Sequence, residues 1–280
     1  MSGETNCMVL TGPAPSGTWV PNKGKAKMSD TQPTAAVLLI GDEILSGRTK
    51  DKNLGFLADY LTALGIDLKE ARVVSDIEDD IVAAVNALRS RYTYVFTTGG
   101  IGPTHDDITA DAIAKAFGAA IDHDPKAVEI LLSFFKEIGR EPNEARLRMA
   151  RIPVGASLID NPVSKAPGFQ MGNVFVMAGV PKIMQSMMDA LAPRLTKGVV
   201  MQSRSIEFRG GEGDVAKPLG DIQKQFPAVV IGSYPFQAAD GFATNLVLRS
   251  RDEAALAQAF AEVKAMAEGL VGQGKARGWS

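Results

Sequence analysis

The stretch Tyr94-Val-Phe-Thr-Thr-Gly-Gly-Ile-Gly-Pro-Thr-His-Asp-Asp107 joins a short apolar run to a glycine-rich turn and a pair of acids. The run from Tyr94 to Thr98 predicts a buried strand, and the residues from about Thr104 to Phe117 predict a helix. In open α/β sheets, ligands bind at such strand-to-helix turns, outside the carboxyl ends of the strands. The stretch therefore predicts a fold class and, at the same place, a binding site.

Alternating strand and helix patterns surround this stretch. The continuous apolar run Ala35–Ile40 predicts a strand that is covered on both faces, and Gly41 ends it. The other predicted elements are a helix over 52–64, a strand over 68–74, a helix over 77–89 with Asp76 as its cap, a helix over 125–138, a strand over 174–177 and a helix over 181–195. This alternation predicts a doubly wound α/β fold, in which a mostly parallel sheet carries helices on both faces.

Composition predicts how the chain divides. Residues 1–34 are rich in Gly, Pro, Ser and Thr and predict a disordered tail, within which Met28 is an alternative start. Residues 35–200 make the large domain, and the pattern β-α-β-β-α over 201–272 predicts a small α+β domain. The glycine-rich residues 273–280 are expected to fray.

Bulk properties exclude several classes of protein. A net charge of -2 with 22% charged residues gives no basic surface for nucleic acid. No apolar run approaches the roughly 18 residues that span a membrane, and no secretory signal is visible, so we expect a cytoplasmic protein. Cys7 is the single cysteine and there are two histidines, too few for a structural zinc site.

The glycine-rich turn predicts contacts with phosphate. Three glycines in the four positions 99–102 let the backbone approach an anion, and N–H groups at a helix start attract it. A tight turn without a ligand is the alternative, just as a solvated loop is the alternative for residues 161–168. The predicted ligand-binding residues are Gly41, Asn53, Thr98, Gly99, Gly100, Gly102, Thr104, Ser164 and Lys165.

Three acids follow the turn in the first two turns of the predicted helix, namely Asp106, Asp107 and Asp111. Asp107 and Asp111 are four residues apart and would share a helix face. Thr104 with Asp107 resembles a capping box, which is the structural alternative. Carboxylates beside a phosphate would repel it unless a cation intervenes, and Mg²⁺, or Mn²⁺ or Co²⁺ in its place, suits one or two carboxylates.

The first strand also ends in acids, Asp42 and Glu43. Because the first and third strands of a doubly wound sheet are often neighbours, Asp42 and Asp107 are expected to face each other across the crevice. Asp42, Asp106 and Asp107 are therefore the predicted metal ligands and catalytic residues, with a turn or cap role as the alternative for Asp42. His105 is a further candidate acid or base, and capping is the favoured role of Asp51.

These residues resemble a known family. The segments Gly41-Asp-Glu-Ile-Leu-Ser-Gly47, Asp51-x-Asn53 and Thr98–Thr109 look like the MoaB/Mog-like molybdopterin-binding domain. Asn161-Pro-Val-x-x-Ala-Pro-Gly-Phe169 and Gly179-Val-Pro181 resemble the branch found in CinA proteins and eukaryotic FAD synthases. Residues 203 to about 270 are similar to the small domain that follows in CinA proteins, and the amidase domain of full-length CinA is not expected here.

The resemblance implies three functions that the sequence leaves open. CinA-type relatives are associated with metal-dependent hydrolysis of nucleotide diphosphates such as ADP-ribose, and Asp106, where Mog-like members often have Arg, favours this branch. Mog-like relatives bind molybdopterin and adenylylate it with magnesium and ATP. A non-catalytic nucleotide-binding module is the third alternative. The implied partner is a small nucleotide or pterin, and the implied assembly is a dimer or trimer.

Overall fold

The computed structural model describes residues 32–239 and 241–279. The predicted tail up to residue 31, with Cys7 and Met28, lies outside the described residues. The strands are β1 (Thr34–Ile40), β2 (Asp67–Val74), β3 (Tyr94–Thr98), β4 (Ile121–His123), β5 (Arg151–Pro153), β6 (Ser157–Ile159), β7 (Gly168–Met171), β8 (Val174–Met177), β9 (Gln202–Phe208), β10 (Val230–Ala238) and β11 (Gly241–Ser250). The α-helices are α1 (Asp42–Leu45), α2 (Asn53–Ala63), α3 (Glu78–Arg89), α4 (Thr109–Phe117), α5 (Pro125–Glu137), α6 (Glu144–Leu147), α7 (Pro181–Leu191), α8 (Glu212–Gln225) and α9 (Glu253–Gly272).

A six-stranded sheet with the order β2-β1-β3-β8-β7-β6 organises the larger part of the chain. Strands β2, β1, β3 and β8 run parallel, whereas β7 and β6 are antiparallel to their neighbours. The predicted mostly parallel sheet is therefore confirmed, and β1 lies beside β3 as expected. The carboxyl ends of β1, β3 and β8 meet at one edge of the sheet.

Helices cover both faces of this sheet, and β1 shows why its sequence is apolar throughout. Ala36, Leu38 and Ile40 pack into a core with α3, α4 and α5. The alternate residues of β1 pack into a second core with α2 and α7, which includes Met184, Met187 and Met188. Because successive side chains of a strand point to opposite faces, a strand between two helical layers is apolar at every position.

The C-terminal region builds a separate antiparallel sheet with the order β10-β11-β9. Helices α8 and α9 cover one face of it and share a core with Ile206, Phe208 and Leu246. The predicted β-α-β-β-α unit is thus observed. The end of the chain, which was expected to fray, pairs with the end of β9 through a bridge between Phe208 and Trp279, and the amide of Arg209 donates to Gly278 O at 2.8 Å. Within the described residues, no helix is long and apolar enough to cross a membrane.

Two predicted helix boundaries and one predicted cap were wrong, and the first of these boundaries is the end of α7, which lies at Leu191 and not at residue 195. Helix α4 begins at Thr109, because the amide of Thr109 donates back to Gly100 O at 3.0 Å and the preceding residues form a separate loop. Asp76 does not cap α3, since its carboxylate accepts from the amide of Asp42 at 3.0 Å. Strands β4 to β7 were not predicted, because three or four residues are too few to show a period.

Gly99→Ala tests the backbone contact at the carboxyl edge of the sheet. A Cβ at Gly99 would lie 2.1 Å from Ile40 O, and the residue has a φ of 107°, which side chains rarely adopt. We expect a loss of about 3 kcal/mol in the free energy of unfolding, measured by urea denaturation. Gly55→Ala is the matched control, because a Cβ there meets nothing within 4 Å and lies in α2. That control should gain up to about 1 kcal/mol. Equal effects of the two substitutions would contradict the packing described here.

Candidate functional site

A cleft of about 500 Å³ lies at the carboxyl edge of the large sheet. One wall is the glycine-rich turn after β3, and the opposite wall is the turn after β8 with the start of α7. Many of the side chains that line the cleft are apolar, namely Met149, Ala166, Ala178, Val180, Ile183 and Met187. Such an apolar cleft with a few polar groups at one end is typical of a site for a small molecule.

The glycine-rich turn offers main-chain donors to this cleft. Gly99 packs against Ile40 and donates its amide to Met177 O at 3.2 Å, so its own N–H is used. In contrast, the amides of Gly100, Ile101 and Gly102 form no hydrogen bond within residues 32–239 and 241–279. These three residues line the cleft. Consecutive unpaired N–H groups are the arrangement that binds phosphate oxygens.

Several predicted ligand-binding residues lie below or beside the cleft. Asn53 and Thr98 are buried beneath the turns, where Asn53 Nδ2 donates to Gly179 O at 2.8 Å and lies 3.4 Å from Thr98 Oγ1. The amide of Gly41 donates to Val74 O at 3.1 Å. Asn53 therefore joins the turns after β3 and β8.

The loop from residue 161 to residue 168 contributes one predicted residue to the cleft. Ser164 lines the cleft, and its hydroxyl accepts a 2.6 Å hydrogen bond from Asn161 Nδ2. Lys165 has a φ of 60° and lines a separate groove along α5. The structure thus brings Ser164, Gly99, Gly100 and Gly102 together and does not bring Lys165 to them. Asn161, which is buried and shapes this loop through both ends of its amide, was not predicted as a site residue.

Asp107 lines the cleft, but it is not part of helix α4. Its Oδ2 accepts from the amide of Thr104 at 2.8 Å and from the Thr104 hydroxyl. The predicted shared helix face with Asp111 is therefore wrong, because Asp107 lies in the loop that precedes α4. Asp111 instead binds both terminal nitrogens of Arg151, at 2.8 and 2.6 Å.

A second group of acids lies at the ends of β1, β2 and β3. Burial raises the pKa of Asp76, as do the negative charges of Asp42, Glu43 and Asp106, whereas the hydrogen bond from the Asp42 amide opposes the shift. Glu43, not Asp42, lines the cleft with Asp107. The hydroxyl of Thr104, which lies beside both loop acids, lowers the pKa of Asp106. Asp76 was not predicted as a site residue, because its place before a predicted helix indicated a helix cap.

The acids partly fit a divalent cation. Within the described part of the chain, no group of three or more His, Cys, Asp or Glu side chains is arranged to hold a metal on its own. Magnesium, however, uses one or two carboxylates and completes its shell with water and phosphate oxygens. Burial is the largest cause of the raised pKa of Asp76, and the negative charges of Asp42, Glu43 and Asp106 add to it, so these acids lie near one another. His105 is fully exposed, 4.0 Å from Asp106, and does not line the cleft.

The comparisons with known proteins agree with this geometry. Residues 36–197 match the family described as probable molybdopterin binding domain, and residues 200–273 match the middle domain of FAD synthase. The chain therefore belongs to the molybdopterin-binding domain family, of the MoaB/Mog-like type. It resembles a protein of Pyrobaculum calidifontis, with 35% identity over 72% of this chain and 81% of that one.

Other relatives are similar to both parts of this chain or to its larger part. A CinA-like protein of Desulfosudis oleivorans is 36% identical over 58% of this chain and 40% of its own length. A probable FAD synthase of Caenorhabditis briggsae is 33% identical over 78% of this chain and 46% of its own length. This chain thus spans less than half of either relative. The crystal structure of CinA from Thermoplasma acidophilum superposes with a TM-score of 0.54 and 34% identity, over 59% of this chain and 99% of that one.

Asp76→Asn tests the crowding of charge at this edge. A carboxyl whose pKa is raised in the folded state stabilises the fold most at low pH, and that contribution is lost as the pH rises through the folded pKa. We expect Asp76→Asn to raise the urea midpoint at pH 7, with a gain that shrinks toward pH 4. The asparagine Oδ1 can still accept from Asp42. Asp122→Asn, an exposed acid on β4, is the control and should change little at either pH. A loss of stability at pH 7 would contradict the charge assignment.

Proposed function

We propose that the cleft binds a nucleotide diphosphate of the ADP-ribose type and hydrolyses its pyrophosphate bond with a divalent metal. The observation that carries the proposal is that unpaired main-chain donors and carboxylates line the same cleft. Unpaired amides at Gly100, Ile101 and Gly102 favour an anion, while Glu43 and Asp107 on the same cleft are themselves negative. An anionic ligand and these acids are compatible when a cation lies between them.

The chain's own residues divide the work. The amides of the glycine-rich turn would bind the oxygens of one phosphate, and the apolar wall around Met149 and Ile183 would cover the flat base. Asp107 would orient the attacking water and accept its proton, while Asp42 and Asp106 would hold the metal. The metal, when bound, polarises the phosphoryl group and lowers the pKa of water. A P–O bond to water forms, the P–O bond to the bridging oxygen breaks, and two phosphomonoesters leave.

Turnover of ADP-ribose tests this proposal. With Mg²⁺, Mn²⁺ or Co²⁺ we expect AMP and ribose 5-phosphate, resolved by anion-exchange chromatography. Asp107→Asn keeps one acceptor for Thr104 and removes the charge, so it should lower kcat by at least about 100-fold while the chain stays folded. Asp122→Asn removes a charge outside the cleft and should retain full activity. The absence of AMP with every metal would overturn the proposal.

Metal binding can be measured without turnover. Excess magnesium chloride with AMP, a product of the proposed reaction, should raise the thermal midpoint of the unmodified protein by linkage. Asp106→Asn should lose most of this shift, because it removes one proposed ligand, whereas Asp122→Asn should keep it. An identical shift in all three proteins would show that Asp106 does not hold the cation, which contradicts the proposed ligand set.

Molybdopterin binding or adenylylation is the second candidate function. The family description and the apolar lining of the cleft favour it, since a pterin ring needs the same cover as a purine. Quenching of pterin fluorescence by the protein, without release of AMP from ADP-ribose, would favour this function. Ligand-induced stabilisation without any turnover would instead favour a non-catalytic nucleotide-binding module. The dimer or trimer implied by the resemblance stays a prediction, which sedimentation velocity can measure.

A further inference from the structure

Two arginines from a distant segment lie beneath the loop that carries Asp107. Arg151 binds both carboxylate oxygens of Asp111, at 2.8 and 2.6 Å. Arg148 is 3.9 Å from the same carboxylate, and its Nη2 donates instead to the main-chain oxygen of Asp107 at 3.2 Å. The two arginines therefore have different roles: Arg151 neutralises Asp111, and Arg148 holds the backbone of Asp107.

The hydrogen bond from Arg148 to Asp107 O joins the loop of residues 103–107 to a part of the chain outside this loop. In the described part of the chain, the hydrogen bonds of residues 103–107 are otherwise internal and join Thr104 to Asp106 and Asp107. The next external bond comes at Thr109, whose amide and hydroxyl bind Gly100 O and Gly99 O. Residues 103–107 are mostly exposed and pack few side chains into the core. Arg148 is thus the group that ties the backbone of this loop at Asp107 to a distant segment of the chain.

The surroundings of Arg148 suit a fixed guanidinium. Its Nε is buried without a hydrogen-bond partner, although its side chain is 31% exposed overall. Arg148 also lines a small cavity of about 20 Å³ together with Gly100, Gly102 and Asp107. A planar guanidinium confined in this way can hold one direction, which the flexible ammonium of lysine does not reproduce.

We propose that Arg148 is a positioning residue, which fixes Asp107 at the edge of the cleft by holding its main-chain oxygen. The pair between Arg151 and Asp111 leaves Arg148 available for this contact, because it already occupies both oxygens of that carboxylate. The effect of Arg148 on catalysis rests on the proposed function. Its effect on the loop does not, since it concerns only the backbone of residues 103–107.

Arg148→Gln and Arg148→Lys test the proposal, with Arg89→Gln as the matched control. Arg89 Nη2 donates to Ala116 O at 2.9 Å, so it makes the same type of bond at the opposite end of α4. In Arg148→Gln we expect amide hydrogen exchange over residues 103–109 to rise by at least about tenfold. ADP-ribose hydrolysis should lose about 10- to 100-fold in kcat, with KM changed by less than about threefold. Arg148→Lys should recover part of kcat, and Arg89→Gln should change neither readout.

Each outcome decides a separate step. Unchanged exchange over 103–109 in Arg148→Gln would overturn the inference, whatever the activity. Faster exchange with an unchanged kcat would show that Arg148 holds the loop but would overturn its positioning role in the reaction. If kcat falls equally in Arg148→Gln and Arg89→Gln, in proportion to a lower thermal midpoint, the effect is one of stability and the inference fails. If the unmodified protein releases no AMP, the proposed function fails, while the exchange measurement still tests the hold of Arg148 on the loop.

Discussion

The candidate site depends on a close contact of main chain with main chain at the carboxyl edge of the large sheet. The turn after β3 lies against the end of β1, so that a Cβ on Gly99 would meet Ile40 O at 2.1 Å, and one on Gly179 would meet Gly99 Cα at 3.3 Å. Because no side chain fits between these turns, this wall of the cleft is backbone, and it includes the unpaired amides of Gly100, Ile101 and Gly102. Asn53, buried below, joins the turns after β3 and β8 through its hydrogen bond to Gly179.

The charged and polar groups of the cleft determine which ligands it favours. Main-chain donors attract an anion, yet Glu43 and Asp107 line the same cleft. Burial raises the pKa of nearby Asp76, and the charges of Asp42, Glu43 and Asp106 raise it further. Under the proposed function, a divalent metal between a phosphate and these acids would remove the repulsion between them. Apolar residues on the far wall add a place for a flat ring, a combination that a nucleotide or a pterin satisfies.

The sequence predicted the parts of the structure that repeat or that need a special residue. The apolar run of β1 and the periodic helices α2, α3 and α5 reveal themselves because burial on two faces, or on one helix face, leaves a pattern. The start of α4 was missed, because a hydrogen bond from Thr109 to Gly100 overrides the helix signal of Thr104. Arg148 and Asn161 were missed for another reason: they reach the site through tertiary contacts from irregular segments, and single residues there carry no period.

Diffraction from crystals grown with Mn²⁺ and a non-hydrolysable ADP-ribose analogue tests the central claim most directly. We expect an anomalous peak within coordination distance of Asp106 or Asp42 and of a phosphate oxygen. That phosphate should accept from the amides of Gly100 and Gly102, and the adenine should contact Ile183. A nucleotide bound elsewhere, or bound in the cleft with no metal peak between the phosphate and these acids, would contradict it.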